Sequence, residues 1–390
     1  MANKSRTRFT RLALENWRNF RNVDVEFGSR AFIVGPNASG KTNLLDALRF
    51  LSDVARREGS LAGAVSSRGG IAHLRSLHAR QASHVRIEAT LLIGADSWTY
   101  ELVLAGTKTR PVHVERERVV KNGEELVPPR PNPEDLRDPR LLEQTHLEQL
   151  SQNSRFRELV DALASVSHVH IVPQVAKSSA RPDLLLLRDA PGSDFIGQLA
   201  ELNEKGQRGA LNRIEKLLRI AVPHFSELRV EHDKKTGVPH LIAKYEHWRP
   251  QGSWQNEAEF SDGTIRLIGF IWAVMRGVAP LLLEEPELSL HRDVVRQIPR
   301  ILARAAVMHG RQVLVTTHSE EILNDAGIDP SEIILLTPTN EDTRVTSGKM
   351  DDVLVQAARG RIPLGAVVSS KTRPEGISQL VIKWPESPAQ

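Results

Sequence analysis

Residues Gly35 to Thr42 read GPNASGKT, a G-x-x-x-x-G-K-[ST] pattern with an apolar strand-like segment before it and helical spacing after it. In that setting glycines let backbone N–H groups curl around phosphate oxygens at a helix N-terminus, where the helix dipole favours negative charge. Lys41 stands where it neutralises the β and γ phosphates of a nucleotide, and the Thr42 hydroxyl where it holds Mg²⁺. Gly35, Pro36, Asn37, Ala38, Ser39, Gly40, Lys41, Thr42 and the following Asn43 are the candidate nucleotide contacts.

Three later segments carry groups that suit the same chemistry. APLLLEEPE ends an apolar strand in two adjacent carboxylates, Glu284 and Glu285. Successive strand residues point to opposite faces, so one can hold a metal's water shell while the next orients an attacking water. RQVLVTTHSEEIL places His318 33 residues after Glu285, about one helix and one strand further on, with a helix starting at Ser319. A histidine there reaches a γ-phosphate. EFSDGTIRLIGFIWAVM sets Ser261, Asp262 and Gly263 directly before a helix that is apolar nearly all round, a capped N-terminus with free N–H groups. Taken singly, these three read as solvated glutamates, a capping histidine and an ordinary helix cap. Their order after a phosphate loop is what links them.

The elements that must position these groups follow from the pattern of apolar residues. The first 35 residues alternate as strands, and Leu44, Leu45, Leu48, Leu51 and Val54 recur at helical spacing up to Gly59. HVRIEATLLIG, WTYELVLAG and VHVERERVV read as an antiparallel meander. Five prolines between 122 and 140 mark a loop or linker. LLEQTHLEQL, SRFRELVDALASV, FIGQLAELN and ALNRIEKLLRIAVPHF read as helices, with a short strand at HVHIVP and others near 228–231 and 240–245. After 251 strand and helix alternate as in a parallel α/β sheet, and the tail from 346 is less regular, with QLVIKW as a further strand. The expected division is 1–125, an N-terminal lobe with the phosphate loop and antiparallel strands; 126–250, a helical insert with short strands; 251–345, a C-terminal lobe; and 346–390, an irregular tail.

Composition narrows the class. The chain has 390 residues, 40% of them hydrophobic, and no apolar run reaches the roughly 18 residues of a membrane span. It has no cysteine, which excludes disulfides, zinc fingers and thiol nucleophiles. The opening residues lack a signal-peptide apolar stretch, so the expected compartment is the cytoplasm. Fifty-two basic residues against 48 acidic leave a net charge of +4, but 39 of the basic residues are arginine, the side chain best shaped for bidentate phosphate contact. Arg6, Arg8, Arg11, Arg56, Arg57, Arg75, Arg80, Lys234 and Lys235 are the candidate contacts to a nucleic-acid backbone.

In order, the four segments resemble the Walker A, signature, Walker B and H-loop set of ABC-type ATPases. LENWRNFRNVDVEF and the GPN within the phosphate loop resemble the SMC/RecF branch. The meander, SDGT at the signature position and EEPELSLH are similar to the predicted prokaryotic AAA/ABC-like ATPases, related to the ATPase half of overcoming-lysogenization-defect (OLD) nucleases; the likeness covers about residues 8 to 340. It implies an α/β P-loop NTPase, an ABC-ATPase head with an antiparallel β meander and a helical insert. It also implies a head-to-head homodimer in which the Ser261–Thr264 cap of one subunit closes over ATP held by Lys41 and Thr42 of the other. Glu285 takes the role of catalytic glutamate and Glu284 the metal-holding position where the family usually has aspartate, while Asp262 replaces a glycine of LSGGQ. For the Q-loop glutamine, Gln81 and Gln174 are both candidates.

The 220 residues between Lys41 and Ser261 exceed a transporter nucleotide-binding domain, and no sustained heptad pattern supplies an SMC-length coiled coil. The 72 residues after His318 lack the strand ending in D-x-D that a TOPRIM nuclease needs. Asp351 and Asp352 read as a helix cap, and His168 with His170 shares one strand face without a third metal ligand. The function implied is Mg²⁺-dependent ATP hydrolysis as a switch on DNA or on a separate effector chain such as a nuclease, in DNA repair or phage defence. The alternative is a non-hydrolysing, nucleotide-dependent scaffold.

Overall fold

Four segments of this chain are apolar at nearly every position rather than alternating: β3 (Arg30–Val34), β12 (Leu281–Glu284), β13 (Val313–Thr316) and β14 (Ile333–Pro338), with strands numbered in chain order. Such runs suit a parallel sheet covered on both faces. In the structure, a computed structural model that describes residues 6–76, 84–107, 111–177, 192–246, 253–373 and 377, they form the centre of one six-stranded sheet. Its order is β15-β14-β3-β13-β12-β8, with β8 (Ser167–Val169) parallel at one edge and β15 (Thr343–Ser347) antiparallel at the other.

The two-residue period of these strands divides their side chains between two cores. Ala31, Ile33, Leu282, Leu314, Ile334 and Leu336 face the first core, shared with the helix Lys41–Ala55 and a second, antiparallel sheet. Phe32, Val34, Leu281, Leu283, Val313, Val315, Ile333 and Leu335 face the other, beneath the helices Asp262–Met275 and Ile298–His309. At about 1.5–3 kcal/mol per fully buried aliphatic side chain, this double burial fixes the strands that carry the motifs.

The antiparallel sheet runs β2-β1-β4-β5-β6-β7. It holds β1 (Thr7–Trp17), β2 (Phe20–Glu26), β4 (His84–Ile93), β5 (Asp96–Ala105), β6 (His113–Lys121) and β7 (Glu124–Glu125), and it contains the expected meander. A third sheet pairs β9 (Phe225–His232), β10 (Pro239–Tyr245) and β11 (Ser253–Asn256). Among the described residues no helix is long and apolar enough to cross a membrane.

Two expectations are corrected. LLEQTHLEQL does not form an α-helix: a 3₁₀ turn covers Pro139–Glu143 and turns follow. Side chains take the backbone groups that a helix would use. Buried Arg130 donates to the carbonyls of Leu141 and Gln144, at 2.6 Å each, while the Thr145 and His146 N–H groups donate to Glu148 and Glu117. The tail is not irregular throughout. Helices Asp352–Arg359 and Leu364–Thr372 bury Leu354, Ala357, Leu364 and Val368, and Asp351 caps the first by accepting from the Val353 and Leu354 N–H groups. The QLVIKW segment lies outside the described residues.

Candidate functional site

The phosphate loop leaves the C-terminal end of β3 and enters the helix Lys41–Ala55, whose Leu44, Leu45, Leu48, Leu51 and Val54 are all buried. Gly40 begins that helix at φ 95°, and a Cβ there would lie 2.3 Å from the Asn19 amide, so both the backbone angle and the space require glycine. Asn19, in the β1–β2 turn, holds the loop from outside: its amide donates to the Ser39 carbonyl and to Thr343 Oγ1, both at 2.8 Å. The Asn43 amide in turn donates to Asn19 Oδ1, so this side chain braces the loop rather than facing it. Lys41 is buried, and its Nζ donates to the Gly35 and Pro36 carbonyls, both at 3.1 Å. Burial lowers its affinity for a proton, opposed by the negative charges of Glu285 and Glu287.

The ends of β12 and β13 bring the acidic groups beside this loop, because β13 lies between β3 and β12 in the sheet. Glu284 accepts from Thr42 Oγ1 at 2.8 Å on one oxygen and from His168 Nε2 at 2.6 Å on the other. Burial pushes its carboxyl up, but these hydrogen bonds and the charges of His168 and His170 more than offset that, leaving it below the usual carboxylate range. Glu285 follows at φ 42°, in the left-handed region that a residue with a side chain rarely adopts. That turn sends the second carboxylate away from the first. Its Oε1 meets His318 Nε2 at 3.1 Å, and this hydrogen bond outweighs partial burial, which pushes the carboxyl up, and holds Glu285 below the ordinary range. Glu287 secures the other side: its Oε1 accepts from Thr317 Oγ1 at 2.7 Å and from the His318 N–H at 2.9 Å, while burial pushes its carboxyl up.

Ser261 is the N-cap of the helix Asp262–Met275 and accepts from the Thr264 N–H at 3.1 Å. Gly263 packs so tightly that a Cβ would sit 2.5 Å from the Ser289 carbonyl oxygen. Asp262 is paired with Lys177 at 2.7 Å and reached by Gln174 at 3.5 Å. Among the described residues no hydrogen bond or ion pair joins this cap to the phosphate loop of the same chain. Arg266, one turn into the helix, has a buried Nε without a partner, and burial lowers its proton affinity against the pull of Asp262 and Glu285.

The residues from 30 to 324 match the family described as AAA domain, putative AbiEii toxin, Type IV TA system. The chain belongs to this family. No curated protein matches it. In solved structures the fold is that of SMC heads. An SMC head bound to the C-winged helix domain of ScpA matches with TM-score 0.53 and 13% identity over 88% of this chain and 98% of that one. A Pyrococcus furiosus Smc head with an extended coiled coil, bound to the C-terminal domain of ScpA, and a Pyrococcus yayanosii Smc head with a coiled coil and joint each match with TM-score 0.51 and 12% identity, over 90% of this chain and all of theirs. The family is one of nucleotide-binding ATPases, and the ABC-type head expected from the motif order is the fold observed.

Set beside this AAA family fold, the sequence-derived residues separate into two groups. Lys41, Thr42, Glu284, Glu285 and His318 converge at the C-terminal ends of β3, β12 and β13. Ser261, Asp262 and Gly263 stand apart at their own helix terminus. Of the two Q-loop candidates, Gln174 follows β8, the strand next to β12, and contacts Asp262, while Gln81 lies outside the described residues. Arg11 is held by Asp24 and Glu88, which occupy its guanidinium; Arg80 lies outside the described residues. Sequence reasoning missed His168 as a partner of Glu284, as well as Glu287 and Asn19. The strand face of His168 and the EEPE motif were visible signals; Asn19 had none, because its role depends on a hairpin meeting a loop across the fold.

Proposed function

We propose that the protein binds ATP with Mg²⁺ and hydrolyses it, and that two copies close head to head around two ATP molecules. The observation that carries this reading is the division of two adjacent carboxylates: Glu284 on the Thr42 hydroxyl at 2.8 Å, Glu285 on His318 at 3.1 Å. In this reading the first serves a metal and the second serves water.

The donor set suits Mg²⁺, which takes oxygen ligands from a hydroxyl, a carboxylate and phosphates. Thr42 Oγ1 and Glu284 Oε2 already meet, and the Ser39 hydroxyl is buried within the loop without a partner. Thr42 and Glu284 would hold the ion, which would supply positive charge to offset that of the nucleotide phosphates. Lys41 exchanges the Gly35 and Pro36 carbonyls for phosphate oxygens, and an added anion opposes the lowering of its proton affinity by burial. Glu285, kept ionised by His318, accepts a hydrogen bond from the attacking water and orients it; His318 Nε2 holds the carboxylate in place. The separate cap at Ser261–Gly263 completes the site of a second copy, where its free N–H groups meet the γ-phosphate.

The biological setting proposed is a switch acting on DNA or on a separate effector chain, in DNA repair or phage defence. It is supported by the family description as a putative AbiEii toxin and by SMC heads that carry a bound ScpA domain. Purified wild-type protein is expected to release phosphate from ATP in Mg²⁺ and to stop in EDTA, and to double in mass by light scattering when ATP is added. Binding of ATP without hydrolysis in Mg²⁺ would favour the scaffold alternative.

A further inference from the structure

His168 lies in β8, outside the phosphate loop and outside the β12 and β13 ends. The parallel register pairs it with Leu282, which brings its ring diagonally onto Glu284, two residues on along the neighbouring strand. Nε2 is 2.6 Å from Glu284 Oε1, and both side chains are nearly buried, at 5% and 10% exposure. With the proton of this contact on Nε2, Glu284 accepts on both of its oxygens. The opposite oxygen accepts from Thr42.

We infer that His168 is a positioning residue for Mg²⁺ binding: it clamps the second oxygen of Glu284 so that the first stays on the Thr42 side. A glutamate carries one more rotatable bond than an aspartate, and an unclamped carboxylate would lose that freedom on meeting the metal. The hydrogen bond from β8 removes the freedom in advance. Among the described residues, the hydrogen-bond partner of Glu284 Oε1 is the His168 ring. This inference rests on the proposed Mg²⁺–ATP reading of the site.

The test compares wild type with His168→Ala and His168→Gln, whose amide places a donor near the Nε2 position. Two quantities are read: the Mg²⁺ concentration giving half-maximal phosphate release, and ATP affinity by calorimetry with Mg²⁺ and with EDTA. Loss of a hydrogen bond to a metal-holding carboxylate costs about 10- to 100-fold in metal affinity, so His168→Ala is expected to raise the Mg²⁺ requirement by that factor. It is also expected to lose the Mg²⁺-dependent gain in ATP affinity while keeping the affinity in EDTA. His168→Gln is expected to recover most of both. In a Glu284→Gln background, His168→Ala is expected to add no further change. A wild-type Mg²⁺ requirement in His168→Ala overturns the inference. Should that variant not fold, failure of His168→Gln to bind Mg²⁺–ATP more tightly than Glu284→Gln does overturns it equally. Absence of Mg²⁺-dependent phosphate release from wild type overturns the functional reading instead, and the inference with it.

Discussion

Lys41 and Thr42 are neighbours in sequence, yet their side chains serve opposite sides of the loop, one folded over the Gly35 and Pro36 carbonyls and the other bonded to Glu284. Lys41→Ala removes charge-assisted hydrogen bonds worth about 1.5–3 kcal/mol, so ATP affinity measured by calorimetry is expected to fall at least about tenfold. Unchanged affinity would contradict the loop assignment. At this scale much of the site was legible, because each motif residue is a chemical type that few alternatives replace. What could not be read was which partner each would find. Glu284 and Glu285 diverge through a left-handed backbone at Glu285, and Glu284 meets a histidine 116 residues away in sequence.

Elements explain why these residues hold their places. The helix Asp262–Met275 ends against buried Arg311, whose guanidinium donates to the carbonyls of Ala273, Val274 and Ala279. Burial, and then Arg276 nearby, pushes Arg311 down to about 10, so it remains charged at neutral pH and satisfies the C-terminal carbonyls of the helix. Arg311→Met leaves those carbonyls unpaired and is expected to destabilise the fold by about 3 kcal/mol in urea denaturation. A loss within error of zero would contradict this role. Periodicity marked the helix, but nothing in its own sequence marked Arg311, which arrives from the segment before β13.

The 130–148 segment offers a test in pH. Burial pushes the Glu117 carboxyl up from 4.5 to about 7, against hydrogen bonds from the His146 N–H and the Tyr100 hydroxyl, and it pushes the His146 imidazole down from 6.5 to about 4. As pH rises through the first window, the folded chain keeps a proton that the unfolded chain has released, so stability is lost. Through the second, the unfolded chain holds a proton that the folded one lacks, so stability is gained. The two oppose each other. His146→Gln removes the gain, and its urea midpoint is expected to fall between about pH 5 and about pH 7 by more than that of wild type. A midpoint that rises would contradict the assignment. The helical pattern of LLEQTHLEQL was misleading here for the same reason: Arg130 and Glu117 claim the backbone groups of the segment.

Across the whole molecule, one nucleotide-binding unit is assembled from both ends of the chain. β3 and the phosphate loop come from the first 55 residues, while β12, β13 and β14 come after residue 280, and the intervening segments add a meander and a third sheet around the two cores. The order of motifs made this arrangement legible, since short apolar strands followed by polar residues pair in parallel only when helices cover them. The Ser261 cap stands at its own helix terminus, apart from the phosphate loop of the same chain, and the proposed dimer would bring the two together across copies. The central claim is that Glu285 drives hydrolysis of ATP held by Lys41 and Thr42. Glu285→Gln in saturating ATP and Mg²⁺ is expected to keep wild-type ATP affinity while phosphate release falls by about 10²- to 10⁴-fold. Phosphate release at the wild-type rate would contradict it.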